Sequence, residues 1–320
     1  MRTERCIQTV LIALLLAAAV NAFRPHSSSG IDADDYWMLK TNSAAIYDIV
    51  LVGDSRIKQD VSPQAMRAIF SAPAPVSAPA PVPAPKILNF GYDSVCLDGD
   101  YLRAAETKLN PKSAQRTIVL GLTAWSLTEA AGQHNAFLNR THANANANGS
   151  GMKITRHANF FGNVYFTTFL NPFIADNENA FTGIRENTHE YFADGWAPVT
   201  RYPEDPLANQ KHYRQNFANG NVVSPVLTKK LAGYVAALTA QGIRVVAFRV
   251  PAYKALVDLE NELSGYDERA VAEQLKMAGA SYISFDNERY RYSDGSHMQK
   301  DAAQKFSADL ARAMNELDGK

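Results

Sequence analysis

Short apolar runs alternate with amphipathic segments along most of the chain. The runs are apolar at consecutive positions rather than at every second one, and several are rich in β-branched side chains. This pattern is typical of parallel strands that are buried on both faces of a sheet. The predicted strands are Tyr47–Val52, Lys86–Gly91, Thr117–Thr123, Ile243–Val250 and Tyr282–Phe285.

Segments with helical periodicity separate these runs, and a serine followed by proline begins two of them. Proline is favoured in the first turn of a helix, and serine caps the free amides there. A regular alternation of strand and helix predicts an α/β fold, in which a five-stranded parallel sheet is flanked by helices on both sides. The predicted helices are Ser62–Phe70, Asp98–Leu109, Ser224–Gly242, Asp267–Ala278 and a final helix with Ala303, Phe306, Leu310, Ala313 and Leu317 on one face.

Two stretches interrupt this alternation. Residues 71–85 are rich in proline and alanine, and because they lie between two predicted strands we interpret them as an extended surface insertion. Residues from about 130 to 221 form a long insertion after the third strand. Its aromatic side chains would form either a small satellite core or a lid over the edge of the sheet. They include Phe160, Phe161, Tyr165, Phe166, Phe169 and Phe173.

The amino terminus has the pattern of a secretory signal. Arg2 and Arg5 precede the apolar run Val10–Val20, and Val20-Asn21-Ala22 fits a cleavage site between small residues. Residues 1–22 are therefore predicted to be a signal peptide, with an uncleaved membrane anchor as the alternative. Residues 23–43 are predicted to be a polar tether, and residues 44–320 a single exported domain.

Composition excludes several classes of partner and cofactor. Lysine plus arginine and aspartate plus glutamate each number 32 in 320 residues, so bulk charge indicates no nucleic-acid partner. Cys96 is the only cysteine outside the amino-terminal segment, which leaves it without an intrachain disulfide partner there. The histidines lack the spacing of metal ligands, and neither phosphate-binding glycine motif is present. We therefore expect no metal and no cofactor.

Candidate chemistry lies at the carboxyl ends of the first and last predicted strands. Gly53, Asp54 and Ser55 end the first run abruptly, at the edge where open α/β sheets bind ligands. Asp294 and His297 follow the last run, at a spacing that lets the carboxylate reach the imidazole. A serine becomes a nucleophile when a histidine, oriented by a carboxylate, removes its proton. Separately, the first group also suits a turn and the second a helix cap.

Together, the two ends resemble the SGNH (GDSL-type) hydrolase superfamily. The resemblance implies a flavodoxin-like three-layer sandwich in which Ser55 is the nucleophile, His297 the base and Asp294 its partner. It also implies that the amides of Ser55 and Gly91 form an oxyanion hole. Thr123 occupies the position of the family's third-block asparagine, so this third donor departs from the family pattern.

The resemblance implies a serine esterase or O-acyltransferase that acts on acyl esters, acetyl being the first candidate, of cell-envelope or extracellular polysaccharide. The expected partners are an acylated glycan or a small ester, and the expected location is the periplasm, with inner-membrane attachment as the alternative. Arg249 and Tyr253, at the end of the fourth predicted strand, are weaker candidates for substrate binding. The alternative function is a non-catalytic SGNH-like envelope protein that binds glycan or scaffolds a modification complex.

Overall fold

The computed structural model describes residues 31, 33–42, 44–71, 84–134, 137 and 186–318. The predicted signal segment, most of the Pro/Ala-rich insertion and the aromatic side chains from Phe160 to Phe173 lie outside these residues. In chain order the described strands are β1 Ile49–Val52, β2 Ile87–Asn89, β3 Thr117–Leu122, β4 Glu186–His189, β5 Val199–Tyr202, β6 Arg244–Arg249 and β7 Ser281–Ile283.

Five of these strands form an all-parallel sheet in the order β2-β1-β3-β6-β7. The predicted α/β class and its five-stranded parallel sheet are thereby confirmed. Strand β1 lies between β2 and β3, with Leu51 opposite both Asn89 and Val119. The order changes direction at β1, so its carboxyl end opens at a switch point of the sheet, where ligands bind in this class of fold.

The helices cover both faces of the sheet. In chain order they are α1 Ala33–Asn42, α2 Ser55–Asp60, α3 Pro63–Phe70, α4 Gly99–Glu106, α5 Glu129–His134, α6 Gln210–Asn216, α7 Pro225–Ala240, α8 Lys254–Ser264, α9 Glu268–Met277 and α10 Lys300–Asp318. Side chains alternate between the two faces along each strand. Val50 and Val52 pack in the core beneath α4, α7 and α9, whereas Ile49 and Leu51 pack beneath α3 and α10.

Residues 33–42, which the sequence analysis assigns to a tether, form helix α1 and pack against the domain. Tyr36 and Lys40 are buried there. The Tyr36 hydroxyl and the Lys40 ammonium both donate to the carbonyl of Gly195, at 2.8 and 3.0 Å. Burial lowers the pKa of Lys40 well below its ordinary value. Four of its apolar residues, Tyr36 to Leu39, are consecutive rather than spaced at helical intervals, so the pattern does not predict an amphipathic helix.

Residues 186–216, which precede α7, contain two strands and a helix. Strands β4 and β5 form an antiparallel hairpin outside the main sheet, and α6 follows them. The sequence predicts no element in this part of the long insertion, because the strands are short and mostly polar. Helices α2 and α8 are likewise additions to the predicted elements. Among the described residues, no helix has the length and apolar character needed to cross a membrane.

Candidate active site

Ser55 is the first residue of α2, directly after the exit from β1. Gly53 allows this exit, because a Cβ there would lie 2.7 Å from the carbonyl oxygen of Gly121. Asp54 caps the helix by accepting the N–H of Arg56 at 3.0 Å. The Gly-Asp-Ser corner therefore places the serine hydroxyl at the sheet edge rather than in the core.

Asp294 organises the loop that carries His297. Its Oδ1 accepts the backbone N–H groups of Ser296 and His297, at 2.9 and 2.8 Å. Gly295 adopts a φ of 86°, and a Cβ there would lie 2.0 Å from the carbonyl oxygen of Pro206. The loop is thus fixed both by its own aspartate and by close packing against the chain that follows β5.

The two ends of the chain meet at His297. Its Nε2 lies 2.9 Å from the Ser55 hydroxyl, and its Nδ1 lies 3.0 Å from Oδ2 of Asp294. Both distances are within the hydrogen-bond range of a serine nucleophile, its base and the orienting acid. The structure therefore brings together the three residues that the sequence analysis predicts to be catalytic.

Asp294 and His297 shift each other's pKa in the directions that favour an ion pair. Burial raises the pKa of Asp294, but the charge and hydrogen bonds of His297 outweigh burial and leave this pKa below its ordinary value. Burial lowers the pKa of His297, but the Asp294 carboxylate outweighs it, and the net pKa is raised. The arrangement stabilises the imidazolium that forms when a histidine accepts a serine proton.

Thr123 does not serve as an oxyanion donor in this structure, contrary to the prediction. Its hydroxyl donates to Oδ2 of Asp54, and its backbone N–H donates to Oγ of Ser126 at 3.2 Å. The backbone N–H and the hydroxyl hydrogen of Thr123 are therefore both engaged in hydrogen bonds within the domain. Thr123 instead supports the aspartate that caps α2.

Gly91 is also engaged elsewhere, so its predicted role is corrected. Its backbone N–H donates to Oδ1 of Asn89 at 3.0 Å. The same asparagine donates to the carbonyl oxygens of Ile57 and Val61, at 2.6 and 2.7 Å. A Cβ at position 91 would lie 2.5 Å from the backbone nitrogen of Lys58. The glycine thus permits close packing of its loop against α2, and of the predicted donors only the Ser55 amide has no such competing bond in the described contacts.

Arg249 is not placed to bind a substrate. It is 5% exposed and donates to Glu260 and Asn261, at 2.9 and 2.8 Å, while its guanidinium lies 4.6 Å from the centre of the Tyr266 ring. The prediction of an anion-binding arginine is therefore wrong. The side chain belongs to a buried ion pair within the domain.

Tyr253 is 38% exposed and lines a cavity of about 430 Å³ together with Tyr292. Its backbone N–H donates to the carbonyl oxygen of Gly295 at 2.9 Å. This residue therefore lies beside the loop that carries His297, and its role in substrate binding stays a prediction.

Three charged or titratable groups beside the triad were not predicted. Lys58 forms an ion pair with Asp93, with 2.6 Å between Nζ and the nearer carboxylate oxygen. The pKa of His189 is lowered mainly by burial and also by the charge of Lys58. Burial raises the pKa of Asp93, but Lys58 outweighs it and the net pKa is lowered. The charge of His297 acts on both Asp93 and His189, so these groups belong to the same region. Lys58 lies one helical turn after Ser55, which is the only sequence signal for it.

Within the described parts of the chain, no group of three or more histidine, cysteine, aspartate or glutamate side chains is arranged to hold a metal ion. Comparisons with protein-family models, with curated proteins and with solved structures found no match. The functional conclusion therefore rests on the residues and the geometry described above.

Proposed function

We propose that this protein is a serine-dependent esterase or O-acyltransferase of the SGNH (GDSL-type) kind. One observation carries the proposal: the Ser55 hydroxyl, the His297 ring and the Asp294 carboxylate form a continuous hydrogen-bonded chain at the carboxyl edge of the sheet. Residues 242 positions apart supply the first of these contacts. A capped turn alone does not account for a serine that faces the free nitrogen of an oriented histidine.

The reaction would proceed in two halves. Ser55 Oγ attacks the ester carbonyl while Nε2 of His297 accepts its proton, and Asp294 stabilises the imidazolium. The tetrahedral intermediate collapses, the ester C–O bond breaks, and the leaving alcohol takes the proton from His297. Water or a sugar hydroxyl then attacks the acyl-serine while His297 accepts its proton, and the acyl–Oγ bond breaks as His297 returns a proton to Ser55. Water gives an esterase, and a sugar hydroxyl gives an acyltransferase.

The proposed substrates are acyl esters, first of all acetyl esters, of cell-envelope or extracellular polysaccharide. Support for this class comes from the resemblance to envelope-modifying members of the superfamily and from the signal-like amino terminus. The proposed location is accordingly the periplasm, with attachment to the inner membrane as the alternative for residues 1–22.

A second candidate is a non-catalytic SGNH-like protein that binds glycan or scaffolds a modification complex. The engagement of Gly91 and Thr123 in other hydrogen bonds favours it, because loss of one oxyanion donor typically costs about 100- to 1,000-fold in rate. Against it stands the intact Ser55–His297–Asp294 chain. Catalysis therefore remains the proposal, with the Ser55 amide as its oxyanion donor.

Replacement of Ser55 by alanine separates the two candidates. The wild-type protein should hydrolyse p-nitrophenyl acetate and react with a fluorophosphonate probe, and Ser55→Ala should abolish both activities while retaining the melting temperature to within a few degrees. Turnover that survives the substitution would refute the triad. Absence of both activities in the wild type, combined with retained binding of an acetylated glycan, would favour the non-catalytic candidate.

A further inference from the structure

Helix α2 carries more than the proposed nucleophile. Arg56 and Asp60 lie four residues apart and therefore share one face of this helix. Both side chains are almost completely buried, at 1% and 0% exposure. Residues with ionisable side chains are rarely buried to this extent unless specific partners hold them. The residues that Arg56 and Asp60 contact indicate the role of this face of the helix.

Arg56 contacts the residue before His297. Its Nε donates to the hydroxyl of Ser296 at 3.3 Å, and its Nη2 donates to the hydroxyl of Tyr213 at 3.0 Å. The Tyr213 and Ser296 hydroxyls lie 2.6 Å apart, which closes a three-membered network. Glu260, fully buried on α8, forms an ion pair with the same guanidinium and offsets its charge.

Asp60 contacts the residue after His297. Its Oδ1 accepts the backbone N–H of Met298 at 2.9 Å. Its Oδ2 has no hydrogen-bond partner among the described residues. A buried carboxyl group that leaves one oxygen unpaired adds little to stability, because desolvation offsets the single bond it makes. Fold stability alone therefore gives little reason for an aspartate at this position.

We infer that Arg56 and Asp60 are positioning residues. Arg56 holds the Ser296 side chain before His297, Asp60 holds the Met298 backbone after it, and a single helix thereby sets the distance from His297 to Ser55. The inference rests on the proposed function. Ser55 begins α2, and the two contacts to the His297 loop come from Arg56 and Asp60, within the remaining five residues of the same six-residue helix. The nucleophile and the two residues that position its base therefore belong to the same helix. Tyr213, from α6, is the third support.

Mild substitutions test this arrangement without removing a buried charge. Ser296→Ala removes the oxygen that Arg56 and Tyr213 share, and Tyr213→Phe removes only the hydroxyl. Each variant should lower kcat for p-nitrophenyl acetate by about tenfold and leave KM within about twofold, because small misplacements of a catalytic group are costly in rate. Tyr282→Phe is the matched control, since it removes a partly buried hydroxyl that donates to Glu268 on α9 and does not line the cavity beside Tyr253. It should lower the melting temperature comparably and leave kcat unchanged.

Asp60 is tested by a pair of variants. Asp60→Asn keeps an oxygen that accepts the Met298 N–H and should retain kcat to within about threefold, whereas Asp60→Ala removes this acceptor and should lower kcat by about tenfold or more. If Asp60→Ala does not fold, the Ser296 and Tyr213 variants decide the question. Unchanged kcat in both Ser296→Ala and Tyr213→Phe would overturn the inference.

A spectroscopic readout keeps this inference distinct from the proposed function. The Nδ1 proton of His297, bonded to Asp294, should give a downfield proton resonance that is absent in His297→Gln. In Ser296→Ala and Tyr213→Phe this proton should exchange with water faster than in the wild type, by about tenfold. Wild-type protein without Ser55-dependent turnover would refute the proposed function alone. Unchanged exchange, in a wild type that does turn over, would refute the positioning role alone.

Discussion

Replacement of Asp60 by asparagine should stabilise the protein, and the gain should grow with pH. Asp60 is fully buried, and burial raises the pKa of its carboxyl group to about 8, against an ordinary value of 3.8. The groups that act on it are His297, Arg56 and Asp294, and its own charge acts on Tyr292. The charges of His297 and Arg56 lower the pKa of Asp60 and that of Asp294 raises it, so that burial is opposed but not cancelled.

The sign follows from proton linkage. Between about pH 4 and pH 8 the folded protein keeps a proton on Asp60 that the unfolded chain has released, so the folded state binds more protons. The free energy of unfolding must then fall as pH rises through this window, by up to about 1.4 kcal/mol per pH unit. Above pH 8 both states are deprotonated and the slope vanishes. Asparagine has no proton to lose, so this decline is absent in the variant.

The expected magnitude is a relative stabilisation of about 2 to 3 kcal/mol for Asp60→Asn between pH 5 and pH 7, levelling off above pH 8. Urea denaturation of the wild type and the variant at each pH unit from 5 to 9 measures it. Asp258→Asn, a substitution at an exposed position of α8, controls for the removal of a negative charge. Parallel stability curves for the wild type and Asp60→Asn would refute the assignment of a buried, protonated carboxyl group.

Two further predictions concern the proposed site. The pKa of His297 is raised above its ordinary value of 6.5, so kcat/KM for p-nitrophenyl acetate should rise with pH and level off only above pH 6.5. A pH–rate profile that is flat from pH 5 to 9 would contradict the role of His297 as the base. Arg249→Met should lower the free energy of unfolding by about 3 to 5 kcal/mol, because it removes one partner of buried Glu260. The folded fraction of this variant should keep the wild-type KM for small esters. A raised KM with unchanged stability would restore Arg249 as a substrate-binding residue.

The sequence determined the fold class because strands that are buried on both faces of a sheet have apolar residues at consecutive positions. Strands such as β1 and β3 are short, apolar at consecutive positions and rich in β-branched residues, which together favour a buried strand over a buried helix. Local chemistry also determined the contact between Asp294 and His297, which are three residues apart. Parallel strands end at one edge, so the meeting of Ser55 with His297 followed from topology.

Tertiary structure alone decided which polar hydrogens are already used. A glycine amide and a threonine hydroxyl look available in sequence, but the side chains of Asn89 and Asp54 accept them in the folded chain. Helix α1 and helix α2 escaped prediction for a related reason, since ionisable side chains such as Lys40, Arg56 and Asp60 are buried there by partners that lie far away in the chain. The hydrophobic pattern of a sequence indicates which residues are buried. The pairing of buried polar groups depends instead on the folded geometry, whether the partner is near in the chain, as Asn89 is to Gly91, or distant, as Asp54 is from Thr123.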